Sequence, residues 1–190
     1  MAASPTHHRA DFARNERRIL DAAARVLSER PSAGMAGIAT EAGVGRATLY
    51  RHFATREELI DALEDELLDA AGMIIAEQSA RDDVGPGEAL GQIVEELVEV
   101  RARYRLLFDW PEREEAHRLD GKRRFEAPLL AIIERGQREG ELDSDVPARW
   151  VLIAIAGITR RALKGYTEGE IGLEDAKQLA RRGLLRGFGA

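Results

Sequence analysis

Residues 43–53 read GVGRATLYRHF, a stretch that gathers Arg46, Thr48, Tyr50, Arg51 and His52 with no acid among them. Guanidinium, hydroxyl, phenol and imidazole groups at this density suit donation to phosphate oxygens and to the edges of bases. A carboxylate here would repel a polyanion, so its absence is part of the signal. The chain as a whole carries a formal net charge of -6 over 190 residues, which makes the stretch a local exception. Residues 1–60 hold nine Arg/Lys against seven Asp/Glu, and the remainder 19 against 27. A near-neutral head on an acidic body excludes indiscriminate binding of polyanions but leaves a local phosphate-docking surface.

Other chemistries lack their residues. There is no cysteine, so disulfides, thiolate catalysis and Cys-based zinc sites are excluded together. No GxSxG, HExxH, P-loop or Gly-rich dinucleotide fingerprint occurs. His7 and His8 stand in a polar stretch without further ligands, and His117 lies in the charged segment EREEAHRLDGKRR; neither indicates a metal or a catalytic base. No cofactor is expected. The first residues contain no apolar signal core, and the longest apolar run, WVLIAIAGI at 150–158, is too short to span a bilayer. A soluble, cytoplasmic protein is expected.

The elements that must position these groups are helical throughout. Ile19, Ala23, Val26 and Leu27 share one face of a helix over Asn15–Glu29. From Thr55 onward, Leu59, Leu63, Leu67, Ala70 and Ile74 define a long helix, with Thr55 and Glu58 as a capping box at its start. RDDVGPG at 81–87 interrupts the pattern, and Leu90 to Phe108 resume it up to Trp110-Pro111. A further helix is expected to start or kink near Pro128. Val151, Ile155, Ile158 and Ala162 mark one from Ala148 to about Tyr166, apolar on more than one face. In the last, Leu173–Phe188, the residues Ala176, Ala180, Gly183 and Gly187 form a small-residue seam that lets another helix approach. The fold class is all-α with around nine helices.

Within 34–53, Met35–Ala42 and Gly45 or Arg46 to His52 read as two short helices joined by a turn. Ile38, Val44, Leu49 and Phe53 supply an interior, Ala39 is small where the helices cross, and Gly43 suits the positive φ of a tight turn. This is helix-turn-helix spacing. The second helix then exposes Arg46, Ala47, Thr48, Tyr50, Arg51 and His52.

The segments RRILDAAARVL at 17–27 and GMAGIATEAGVGRATLYRHFATREELIDAL at 34–63 resemble the N-terminal DNA-binding domain of the TetR family of bacterial transcription regulators. The resemblance covers roughly residues 14–64; beyond it only length and helical character agree. It implies a tail over 1–13, a helix-turn-helix domain over 14–60 and a regulatory, ligand-binding and dimerisation domain over 61–190. It also implies a homodimer on a palindromic operator in double-stranded DNA, probed at the base edges by Arg46, Ala47 and Thr48, with Gly45 at the start of their helix in the same DNA-binding set. Tyr50 and His52 would brace phosphates, Arg51 would reach a phosphate or base, and Arg56 would grip the backbone, helped by Arg9 and Arg14. Gly34 and Gly45 stand where the family often has Ser or Thr caps, and Ala36 and Gly37 replace polar residues, which implies fewer backbone contacts.

For the body, the resemblance implies a cavity for a small-molecule effector. Candidate lining residues are Tyr104, Phe108, Trp110, Phe125 and Trp150, with Arg103 and Arg160 as polar anchors; ordinary core packing is the alternative for the aromatics. The dimer interface would use Ile155, Ala176, Ala180, Gly183, Leu184 and Gly187. The acid runs at 57–66 and 95–99 read as solvated helix faces. The functional expectation is a DNA-binding regulator, a repressor released by its effector. A regulator without a small ligand and a helical enzyme are the competing readings.

Overall fold

The computed structural model of the chain describes the backbone of residues 5–108 and 111–190 and the side chains of residues 11–105, 107 and 124–190. The elements run α1 (Pro5–Glu29), α2 (Met35–Glu41), α3 (Arg46–His52), α4 (Arg56–Ser79), α5 (Pro86–Arg103), a 3-10 turn (Arg105–Phe108), α6 (Pro111–Glu139), α7 (Ala148–Thr167) and α8 (Leu173–Phe188). The class is all-α, as the periodicity predicts. Phe108, Trp110, His7, His8, Arg9 and His117 have side chains outside the described residues.

Two apolar cores are joined by α4, and Val100 near the end of α5 packs against both. The first gathers Ile19, Ala23, Val26 and Leu27 of α1, Ile38 and Ala39 of α2, Leu49 of α3 and Leu59, Leu63 and Leu67 of α4. The second gathers Ile74 and Ile75 of α4 with residues of α5, α6, α7 and α8. The boundary expected after residue 60 therefore falls inside a continuous helix. The apolar stripe of α4 runs unbroken, so its first half roofs the head and its second half belongs to the body.

Each interruption in the pattern has a partner. The Glu58 N–H donates to Thr55 Oγ1 at 3.1 Å, and Glu58 Oε2 accepts from the Ala54 N–H at 2.7 Å, which closes the start of α4. The free N-terminus of α5 is capped from a distance: Glu141 Oε2 accepts from the Gly87 N–H at 2.8 Å. The Asp143 N–H donates to the Phe188 carbonyl at 2.9 Å, tying the end of α8 to the same loop.

Three expectations are corrected. Residues 5–13, expected in a tail, are helical and continue α1 back to Pro5, whose fixed φ suits a first turn. Exposed Arg14 pairs with Asp11 at 3.2 Å along that extension. Of the two expectations at Pro128, a helix start or a kink, the start is corrected: Pro128 lies inside α6, which begins at Pro111. Burial of Leu129, Ile132 and Ile133 in the second core outweighs the lost hydrogen bond. The seam on α8 is the third: Ala176, Ala180 and Leu184 are fully or almost fully buried within the subunit, as is Ile155 of α7. The helices that α8 packs on are α5 and α7 of the same chain. Gly183 and Gly187 face the other way, with open space where a Cβ would stand.

Candidate nucleic-acid interface

The turn between α2 and α3 is set by Gly43 at φ 63°, the left-handed region that favours glycine. The Gly43 carbonyl accepts from Arg18 Nη2 at 3.3 Å, so α1 holds the turn from outside. Arg25 adds a second tie from α1, to Glu41 at 3.4 Å. Leu49 and Phe53 point into the core with Ile38, and Val44 packs against it half-buried. With Leu49 inward, the opposite face of α3 must point out.

That face carries the expected residues. Gly45, Arg46, Ala47, Tyr50 and Arg51 are exposed and Thr48 is half-buried. Tyr50, 51% exposed, has a ring free to meet a ligand rather than the core. Neither Gly34 nor Gly45 supplies a side-chain cap, and the Gly37 N–H turns back to the Gly34 carbonyl at 3.0 Å. The result is an acid-free face that presents the guanidinium groups of Arg46 and Arg51 and the phenol of Tyr50, groups whose chemistry suits phosphates and base edges.

Two residues sit differently from the expectation. The His52 ring packs on Phe12 with centroids 3.8 Å apart, and both ring nitrogens are covered without a hydrogen-bond partner. Burial pushes its pKa below the ordinary value; Glu16 opposes the shift and Arg51 adds to it. His52 is thus stacked rather than presented to phosphate. Arg56 is half-buried and its Nη2 donates to the Pro31 carbonyl at 2.6 Å, pinning the α1–α2 loop to the start of α4.

Among the described residues, the expected effector side chains do not converge. Tyr104 is 2% exposed and belongs to the first core, where burial and the Glu66 carboxylate raise its phenol pKa. Phe125 packs on the second core with its ring edge near Gly72, and Trp150 is 58% exposed. Arg160, on α7, is exposed too. Of the described members of this set, Arg103 alone lines a cleft, an opening of about 680 Å³ between α4 and α5. Its other walls include Met73, Ile74, Val100, Tyr166 and Leu173, with the carboxylates of Glu77, Glu96 and Glu99. Glu96 accepts from Gln78 Nε2 at 3.0 Å and Glu99 pairs with Lys177 at 2.7 Å. The run at 95–99 is therefore not simply a solvated face. The spacing of Glu96, Glu99 and Arg103, one helical stripe, was the available signal.

A recognition helix in a three-helix head, carried on a helical body with a cleft, defines a helix-turn-helix DNA-binding regulator. Comparison with known proteins narrows the class. Residues 19–63 match the model for bacterial regulatory proteins of the tetR family. The HTH-type transcriptional regulator NfxB of Pseudomonas aeruginosa is 30% identical over 141 residues, which cover 70% of this chain and 73% of NfxB. The HTH-type transcriptional repressor LfrR of Mycolicibacterium smegmatis is 38% identical over 88 residues, so this chain spans 46% of LfrR in that alignment. The crystal structure of LfrR in complex with proflavine has the same fold, with a TM-score of 0.69 and 25% identity over 92% of this chain and 96% of LfrR. The chain belongs to the TetR family and is a DNA-binding transcriptional regulator, not an enzyme. Among the described residues, no helix is long and apolar enough to cross a membrane, and no group of three acid or histidine side chains is placed to hold a metal ion.

Proposed function

We propose that the protein is a cytoplasmic, homodimeric repressor that leaves a palindromic operator when an organic cation occupies the α4–α5 cleft. The observation that carries the effector half is the cleft itself, with three carboxylates against one guanidinium beside Met73, Ile74 and Tyr166. Such walls favour a flat apolar cation over an anion. LfrR, a repressor of the same fold, has been crystallised with proflavine, a planar cation.

The second copy is proposed to dock on the outward faces of α7 and α8. Trp150 and Ile153 on α7 and Leu179 on α8 are large apolar side chains at 58%, 57% and 50% exposure, and Gly157 and Gly183 leave open space between them. A dimer would place two copies of α3 in successive major grooves about 34 to 36 Å apart. Arg46 and Thr48 would read bases, and Tyr50 and Arg51 would hold phosphates. An effector lowers DNA affinity only by its preference for a subunit arrangement with the wrong spacing.

The test is a fluorescence-anisotropy titration against DNA flanking the protein's own gene, beside shuffled DNA, across a salt series. Selective, salt-sensitive binding at two subunits per site, reversed by added proflavine, is the expected result. Equal affinity for shuffled DNA and for every site selected from a random pool would overturn the operator reading. Release by anionic dyes but not by proflavine would overturn the effector class.

A further inference from the structure

The end of α5 serves two structures at once. On one side Arg103 lines the acidic cleft. On the other its guanidinium pairs with Asp21 of α1 and lies over the Tyr104 ring, 5.4 Å from the centroid. The neighbouring backbone is stitched to the same helix. Ser28 Oγ donates to the Arg103 carbonyl at 3.2 Å, and Arg105 donates through Nε and Nη2 to the Ser28 carbonyl at 3.1 and 2.6 Å. Tyr104 and Leu107 complete the joint by entering the core of the head.

We infer that Arg103 is the positioning residue through which the cleft sets the angle of the DNA-reading head. This rests on the cleft being the effector site, as proposed above. α1 carries Arg18 and Arg25, which hold the turn and α2, so displacement of Asp21 is passed to α3 through a packed core. Of the residues in the clasp, Arg103 alone also lines the cleft. An occupant that spreads α4 from α5, or that repels the guanidinium, must act first on the group that ties α5 to α1. With the pair intact, the head follows the end of α5. With it cut, the head keeps its fold but samples a wider range of angles.

The experiment compares wild type with Arg103→Gln, Asp21→Asn and the swapped pair Asp21→Arg with Arg103→Asp. The two side chains are 53% and 39% exposed, so the substitutions leave the cores filled. Each protein is titrated on a pool-selected operator and on the same operator with one base pair inserted between its halves. Wild type discriminates sharply between the two. The single variants should lose about twofold to fivefold of that discrimination, the range of an exposed ion pair, and the swapped pair should recover it. Unchanged discrimination, or a uniform loss on both sites that the swap does not restore, overturns the inference. A second reading uses proflavine, followed by its own fluorescence. Arg103→Gln should bind it at least as tightly as wild type yet release DNA less readily. If proflavine leaves wild-type DNA binding unchanged, the effector reading falls, while the spacing test still decides the role of Arg103.

Discussion

Phe12 covers His52: the two rings lie 3.8 Å apart at 32°, and neither imidazole nitrogen reaches a partner. The contact joins the first turns of α1 to the end of the recognition helix. It also gives stability a pH dependence whose sign follows from the direction of the shift. Burial holds the folded imidazole below its ordinary pKa, so the unfolded chain binds a proton that the folded chain refuses. The neutral ring's contribution is complete above about pH 6.5 and is lost as pH falls through the lowered folded value. Phe12→Ala should weaken this dependence by wetting the ring. Urea midpoints between pH 8 and 5 test it, and parallel curves for the two proteins would refute it.

The residues proposed to face DNA divide by what they would touch. Arg46→Ala or Thr48→Ala should relax sequence preference, at a cost of roughly 1 to 3 kcal/mol where a good base contact is lost. Arg51→Ala should weaken binding to all sequences and flatten the salt dependence. Arg56 belongs to a different class, because it holds the Pro31 carbonyl at 2.6 Å. Arg56→Ala should lower the urea midpoint of the head, corresponding to a loss of about 1 kcal/mol or more, the net worth of such a bond. An unchanged midpoint with a reduced salt slope would return Arg56 to the phosphate-gripping role.

The head was legible because its information is local. Gly43, Ile38, Leu49 and the Thr55–Glu58 cap lie within a few residues of the groups they serve, and spacing alone fixes what each must do. Long-range partners leave no such trace. Periodicity on α8 identifies Ala176, Ala180 and Leu184 as a packing face but says nothing of whether the neighbour is α5 or a second copy. Tyr104 illustrates the same limit, since its position near the end of a long helix suits a pocket as well as the core of the head. The stacking of Phe12 on His52 depends on α1 extending past Asn15, where apolar periodicity fades. As a helix start Pro128 misleads for the opposite reason: a strong local signal is overridden by Leu129, Ile132 and Ile133 buried around it.

The two faces of α8 predict opposite outcomes for similar substitutions. Ala180 is 2% exposed against the body, so Ala180→Leu should overpack the α5–α8 contact and cost about 1 to 3 kcal/mol in urea melts. Gly183 has open space beyond it, so Gly183→Leu should leave the subunit folded and shift the dimer equilibrium seen by light scattering. A stable, unaltered dimer for Gly183→Leu would remove this face from the interface.

Two glycines of the head separate backbone conformation from space. At Gly43, with φ 63°, any side chain incurs the left-handed penalty, roughly 1 to 2 kcal/mol. A Cβ there would also lie 2.7 Å from Arg18 Nη2, a flexible end that can swing aside but would then release the Gly43 carbonyl. Gly43→Ala should therefore destabilise the head and loosen the brace from α1 to the turn. Gly37, inside α2, has helical geometry and nothing within 4 Å of an added Cβ. Gly37→Ala should stabilise by up to about 1 kcal/mol, because alanine loses less conformational freedom in a helix. Opposite shifts in the thermal midpoint are the expected pair of results. If both variants moved the same way, the turn would not be set by the conformation of Gly43, and the orientation of α3 would need another cause.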